Sequence, residues 1–467
     1  MIGEDILFLT VSELAAHIKS RKLSPVELTQ AYLDRGRKIG PQLNAYATLT
    51  PDLAMKQARA AEQEIKAGKY RGPLHGIPYA AKDLLSVPGY PTTWGAKPLV
   101  NQRFDITAAV IQRLSDAGAV LLGKAAMIEL AGGMGYRFAS ASSTGPAKNP
   151  WNTGCWTCGS SSGSGAIVAG ALAAFAIGTE TWGSIICPSS FCGISGLRPT
   201  FGRVSRYGAM ALSYSMDKIG PMARSAADCA EVLSVIAGHD ARDKGSLPRG
   251  EAEFRVAGGA GALRVGVVKK PFGDFKVPSD IQKAFDSAVE VLRKAGAQIG
   301  EIEMPDGPYE TAAGVVIAAE GATAFRDLIE SGRIGDIVDP LGKVGAYVST
   351  VIPAVDFQRA MQIRSVFQQK ADELFEKFDV ITAPSQPVGA TTLETNLETG
   401  LTYSDPIGGL GNFCGLPAIS VPCGFTDSKL PVGIQFMANV LNDNIVVRAA
   451  QMFQSNTGWH RKRPPLQ

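Results

Sequence analysis

Residues 158–190 read CGSSSGSGAIVAGALAAFAIGTETWGSIICPSS, and the way this stretch divides decides the fold. Two Gly/Ser-rich turns, 159–165 and 183–184, lie on either side of one apolar run. No charged residue occurs from 151 to 179, which leaves hydroxyls, backbone N–H groups and apolar walls. The run 166–179 is shorter than the ~20 residues that span a bilayer and is rich in Ala and Gly, so it is read as a buried helix. A plain connector has no need of three successive serines, because each buried hydroxyl without a partner costs ~1–3 kcal/mol. These residue types point to an acyl-transfer site.

The flanking sequence alternates helices and strands. Ser24-Pro25-Val26-Glu27 is a strong helix start, with Ser capping, Pro at the first helical position and Glu reaching back. Ser12 is expected to cap an earlier helix through Ile18, and a further helix to run over 51–67. The stretch 77–81 is the first buried strand, with Lys82 at its end, followed by a helix over 106–117 and a strand over 119–122. The Gly/Ser-rich passage 132–144 has the length and composition of a functional loop. Further strands are expected at 263–268, 297–302, 380–382, 418–421 and 432–436, and helices at 280–294, 308–332, 355–376 and 444–455. The pattern predicts an α/β fold built on one large sheet.

Composition narrows the function. The chain has 467 residues, 45% hydrophobic and 19% charged, which is globular rather than disordered. Length alone allows roughly two to four domains, yet the aperiodic stretch 240–261 reads as a connection rather than a clean boundary. A net charge of +3 is too small to call for nucleic acid or an anionic membrane. The opening MIGEDILFLT is acidic where a signal peptide is basic. Seven cysteines is an odd, sparse count, and free thiols in a reducing cytoplasm are expected.

Several motifs compete for the chemistry. Gly159–Gly163 fits G-x-S-x-G with Ser161 as nucleophile, but that motif needs a preceding strand and a later Asp and His, and CWTCGSSS is a poor strand. No G-K-[ST] follows the loop, so a phosphate cradle lacks its lysine. Ser215-Met-Asp-Lys218 fits S-x-x-K without its companion motifs. Cys155-Trp-Thr-Cys158 lacks a second pair or a histidine at zinc spacing, so no metal or other cofactor is expected. A serine can also be activated by a neutral lysine. That requires lowering the ordinary pKa of ~10.4 by ~2–3 units, which burial at an apolar strand end supplies. Lys82 stands at such an end, and taken by itself it could equally pair with Asp83.

Lys82-Asp83 after GIPYAA, CGSSSGSG, TETWGSIICPSS, FCGISGLRPTFGRVSRYG and GLPAISVPCG together resemble the amidase signature family, over essentially the whole chain. The resemblance implies one domain over 1–467, with a catalytic core at about 70–230 and a more variable helical region at about 305–378. It implies a single mixed, twisted β-sheet covered by helices on both faces. It also implies a Ser–Ser–Lys triad: Ser184 as nucleophile, Ser160 as bridging serine in a cis peptide, and Lys82 as base. Backbone N–H groups of Thr181, Trp182, Gly183 and Ser184 would hold the oxyanion. Gly132, Gly133 and Met134 would line the cleft, and Ser161 would steady the loop. The partner is then a small amide or carbamate, acted on by a cytoplasmic monomer or homodimer that binds no nucleic acid or membrane.

The sequence departs from the family pattern at four positions. Cys158 replaces a Gly, Glu180 an Asp, Trp182 a Gly in the oxyanion turn, and Ile186 an Arg. Without that Arg, an apolar uncharged substrate is expected, with Ile186 at the site; an aryl amide or urethane is preferred. Trp182 either walls the acyl side or fills space behind the turn. Two rivals remain. One is the glutamine-hydrolysing component of a tRNA-dependent amidotransferase, its A-type polypeptide, suggested by the same motifs. The other is a catalytically silent binding protein.

Overall fold

The structure, a computed structural model, describes residues 2–256 and 262–466. In chain order its strands are β1 (Tyr46–Leu49), β2 (Pro78–Lys82), β3 (Val120–Ala125), β4 (Lys148–Asn149), β5 (Asn152–Trp156), β6 (Phe175–Glu180), β7 (Ser195–Arg198), β8 (Lys218–Ala223), β9 (Arg264–Val268), β10 (Gln298–Ile302), β11 (Val380–Pro384), β12 (Ala418–Phe425) and β13 (Pro431–Met437). Eleven of them form one sheet in the order β1-β3-β2-β6-β8-β7-β12-β13-β11-β9-β10, and β4 and β5 pair separately. The sheet is mixed. β3, β2 and β6 run parallel, as do β11, β9 and β10, while the centre from β6 to β11 is antiparallel. This is the mixed sheet that the family resemblance implied.

Both faces are covered, and strand alternation shows how. Successive side chains on a strand point to opposite faces. Ile419 and Phe436 face one another in the main core, whereas their neighbours Ala418 and Met437 belong to a second core. The second core is closed by helices Tyr309–Ala324, Ala354–Lys377 and Pro406–Phe413, through Val316, Phe367 and Phe413 among others. The main core takes helices Ser279–Lys294 and Asp443–Ser455. The helical region at about 305–378 is thus divided: its first and last helices close the second core, while Phe325, Leu328, Ile334 and Ala346 between them belong to the main core.

The apolar run 166–179 is not one helix. Helix Ser162–Ala169 ends at Gly170, Ala171 turns the chain with φ 53°, and β6 begins at Phe175. A uniformly apolar run carries no periodicity to separate helix from strand. Other differences are local. Thr10, not Ser12, caps the second helix, in a full capping box with Glu13. Ser24 does cap its helix, but its hydroxyl also meets Glu62. The expected helix 308–332 is broken at Phe325, and helix Pro340–Ser349 was not foreseen. Residues 240–256 form the expected connection without helix or strand; 257–261 lie outside the described residues. No helix among the described residues is long and apolar enough to cross a membrane.

Candidate active site

Lys82 ends β2, and β6 lies parallel beside it, with Ala81 opposite Ile177. In open α/β sheets ligands bind beyond the carboxyl ends of such strands. The Lys82 side chain is fully buried, and its Nζ lies 2.7 Å from Ser160 Oγ and 2.9 Å from Thr179 Oγ1. Asp83 points elsewhere, into a buried ion pair of 2.9 Å with Lys124, and accepts from the Thr93 amide. Adjacent strand residues face opposite ways, so the local Lys82–Asp83 pairing does not form. Burial pushes the Lys82 amine down to about 7, against the pull of the Asp217 and Glu180 carboxylates. Near neutral pH a large fraction of Lys82 is therefore an uncharged base.

Ser160 follows a cis peptide bond with Gly159, and its Oγ lies 2.9 Å from Ser184 Oγ. The three side chains make one continuous chain of hydrogen bonds. Gly163 lets the following helix approach β3: a Cβ there would fall 2.4 Å from the Ala45 carbonyl oxygen and 2.5 Å from the Ala126 nitrogen.

Ser184 stands in the turn between β6 and helix Ile186–Cys192. Gly183 carries the positive φ of 80° that the turn needs, so Trp182 is free of that strain. Among the described residues no acceptor is found for the amides of Trp182, Gly183 and Ser184. Peptide donors beside a nucleophile, free of other acceptors, can stabilise an oxyanion.

Glu180 anchors the far side of the turn. Its carboxylate accepts from the Ile185 and Ile186 amides at 2.8 and 3.0 Å and from Arg198 at 2.8 Å. Burial works to raise its pKa, but the Arg198 charge and these donors outweigh it and hold the carboxyl down at about 2. A depressed carboxyl pKa contributes stability that is complete above the ordinary carboxylate range and is lost as pH falls through about 2. Arg198→Met leaves Glu180 buried and unpaired and is expected to cost ~3–5 kcal/mol at pH 7. The deficit should shrink toward low pH, as read by thermal denaturation across that range.

Trp182 does more than fill space. Its Nε1 donates to Asp405 Oδ2 at 2.9 Å, and Asp405 Oδ1 accepts from the Gly408 amide, capping helix Pro406–Phe413. The ring packs against the second core, so it ties the oxyanion turn to the helical face. Beside the loop that holds Gly132, Gly133 and Met134, space is tight. A Cβ on Gly133 would lie 1.8 Å from Leu212 Cδ1, and Met134 is buried against Gly321. A cavity of about 310 Å³ opens nearby, bounded by Leu84, Ala131, Met210 and Leu212, on the strand side by Thr179 and Thr181, and elsewhere by charged residues that include Arg206, Asp217, Arg242 and Lys244.

A family model described as Amidase matches residues 27–447. The A-type polypeptide of glutamyl-tRNA(Gln) amidotransferase from Methylococcus capsulatus is 37% identical over 97% of this chain and 98% of its own. Its counterpart from Acinetobacter baumannii is 36% identical over 99% of both. The chain belongs to the amidase family. Among solved structures, the peptide amidase of Stenotrophomonas maltophilia aligns with a TM-score of 0.85 at 30% identity, covering 98% of each chain. A bacterial aryl acylamidase of the amidase signature enzymes gives 0.85 at 25%, covering 97% of each. The protein is thus an amide-hydrolysing enzyme.

In this amidase two expected site residues sit away from open space. The Ser161 hydroxyl is fully buried, donates to the Thr179 carbonyl and accepts from its amide, so it fastens the loop to β6 and is no free nucleophile. The Ile186 side chain belongs to the second core, and what this position offers the turn is its backbone N–H on Glu180. The Ser215-x-x-Lys218 pattern makes no dyad, since Lys218 Nζ donates to the Thr181 and Met216 carbonyls instead. The expectation of free thiols needs correcting at one pair. Cys158 and Cys187 are disulfide-bonded across 29 residues, while the other five cysteines are free and buried. The bond joins the Ser160 loop to the helix after Ser184, a proximity that only the folded sheet creates. Thr179, Glu180, Arg198 and Asp405 were not singled out as functional by sequence reasoning, although TETWG and GLRPT contain three of them.

Proposed function

We propose that this amidase is a serine hydrolase of amide-type C–N bonds working through Lys82, Ser160 and Ser184. The observation that carries the reading is a buried lysine with no carboxylate in ion-pair contact among the described residues, hydrogen-bonded to Ser160 at 2.7 Å, with Ser160 in turn 2.9 Å from Ser184. Hydroxyl hydrogens rotate to suit their partners, so the same contacts can pass a proton inward. Neutral Lys82 takes the Ser160 proton, Ser160 takes that of Ser184, and Ser184 Oγ attacks the carbonyl carbon. The amides of Thr181, Trp182, Gly183 and Ser184 hold the oxyanion. The C–N bond breaks and the amine leaves with the proton returned through Ser160. Water, activated by the same path, hydrolyses the acyl-enzyme to the acid.

The substrate class is an apolar, uncharged acyl compound, and an aryl amide or aryl carbamate is our choice. Support comes from the Trp182 ring beside the nucleophile and from Asp405, whose two oxygens already accept from Trp182 and Gly408. The second reading is the glutamine-hydrolysing component of an amidotransferase, active only within a complex. It is favoured by the 37% identity to such a polypeptide. The purified protein is expected to release nitroaniline from an acyl nitroanilide or an aniline from a small N-aryl carbamate. Activity on glutamine alone, dependent on an added partner, would overturn the apolar reading in favour of the second.

A further inference from the structure

We propose that Asp217 and Lys218, at the head of β8, are positioning residues that set the oxyanion turn by gripping Thr181 through its side chain and its carbonyl. The inference rests on the reading of Ser184 and its turn given above. β6 and β8 are antiparallel, and their last pair is Glu180 with Lys218. One step further, Thr181 leaves β6 opposite Asp217. The Thr181 hydroxyl donates to Asp217 Oδ1 at 2.5 Å, and Asp217 Oδ2 accepts from the Leu212 and Ser213 amides at 2.8 and 3.0 Å. The carboxylate is therefore fixed by backbone and holds Thr181 in one rotamer.

Lys218 acts on the next peptide plane. Its buried Nζ donates to the Thr181 carbonyl at 3.3 Å and to the Met216 carbonyl. The Thr181 carbonyl shares its peptide with the Trp182 N–H, one of the proposed oxyanion donors. A donor on the carbonyl orients that plane and polarises the N–H at its other end. A buried polar head needs such partners, and here they are the Thr181 carbonyl at the turn's entry and the Met216 carbonyl just before β8.

Asp217 also bears on the base. The carboxylates that favour the charged form of Lys82 are Asp217 and Glu180, and Glu180 is already paired with Arg198. Removing the Asp217 charge while keeping its shape makes Lys82 easier to deprotonate, so the acid limb of the rate profile moves to lower pH.

The test follows inactivation by a fluorophosphonate, with the adduct located by mass spectrometry. Thr181→Val and Lys218→Met should lower the limiting inactivation rate by about tenfold or more, with the reagent's apparent binding constant unchanged within about threefold. Thr181→Ser, which keeps the hydroxyl on Asp217, should recover most of the rate that Thr181→Val loses. Asp217→Asn should lower the rate and shift the acid limb down by at least about 0.5 pH unit, a readout that a packing defect would not move. Wild-type rates and an unshifted limb, with Ser184 still the labelled residue, would overturn this inference and leave the triad standing. A label on another residue would overturn both.

Discussion

Ser184→Ala is expected to reduce amide hydrolysis by about 10⁵-fold or more, the scale seen when a serine hydrolase loses its nucleophile. Nothing near it can substitute. Ser160 already stands between Lys82 and Ser184, and Ser161 is committed to both polar groups of the Thr179 backbone. The substitution removes only the side-chain contact to Ser160, and the Glu180 carboxylate still holds the turn through the Ile185 and Ile186 amides. The melting temperature should therefore stay close to wild type while turnover of the cleaved nitroanilide or carbamate disappears. Retained turnover would mean that the nucleophile has been misassigned.

Lys82→Met is expected to lower kcat by about 10³–10⁴-fold, near the upper range for a general base. Its effect on stability runs the other way. The lysine pKa is depressed to about 7 in the folded protein, so the unfolded chain binds more protons between that value and the ordinary lysine range. Stability of the wild type then rises with pH across this window. Met fills a similar apolar stem without a buried amine, so the variant should be more stable than wild type at pH 7, with the advantage shrinking toward pH 10. Thermal denaturation at several pH values checks it. A variant less stable at pH 7 would show that the amine is held as a charged structural group, contrary to the assignment as base. Such an exchange of stability for activity is common where an active site keeps a buried polar group.

How much of this was legible in the sequence depends on the kind of signal. Lys82 was placed correctly because apolar residues bounded by a turn read as a buried strand, and its helix neighbours carried clear caps. Ser160 and Ser184 were legible only as a family pattern, since nothing local distinguishes them from Ser161 or Ser162. The run 166–179 misled because every stretch of it is apolar, whether helix or strand. β8 went unseen because KIGPMA carries a Gly and a Pro, which argue against a central strand. The structure nonetheless places Pro221 opposite Ile177 in mid-sheet. Missing β8 also hid the role of Asp217 and Lys218, which the sequence offers only within an S-x-x-K match and whose meaning comes from register against β6. Arg198 reads as one more charged residue after a Gly-rich turn until the fold sets it on Glu180. The Cys158–Cys187 bond could not be read from spacing, because it crosses from one catalytic loop to the other.

The central claim is that an uncharged Lys82 activates Ser184 through Ser160, and the pH dependence of fluorophosphonate inactivation tests it most directly, in wild type and in Lys82→Met. The expected result is a Ser184 adduct in wild type, with a rate that climbs through a pKa near 7 and levels off above it. In the variant, labelling should be slow and without that step. An adduct elsewhere, or the same rise through neutral pH in the absence of the lysine, would contradict it.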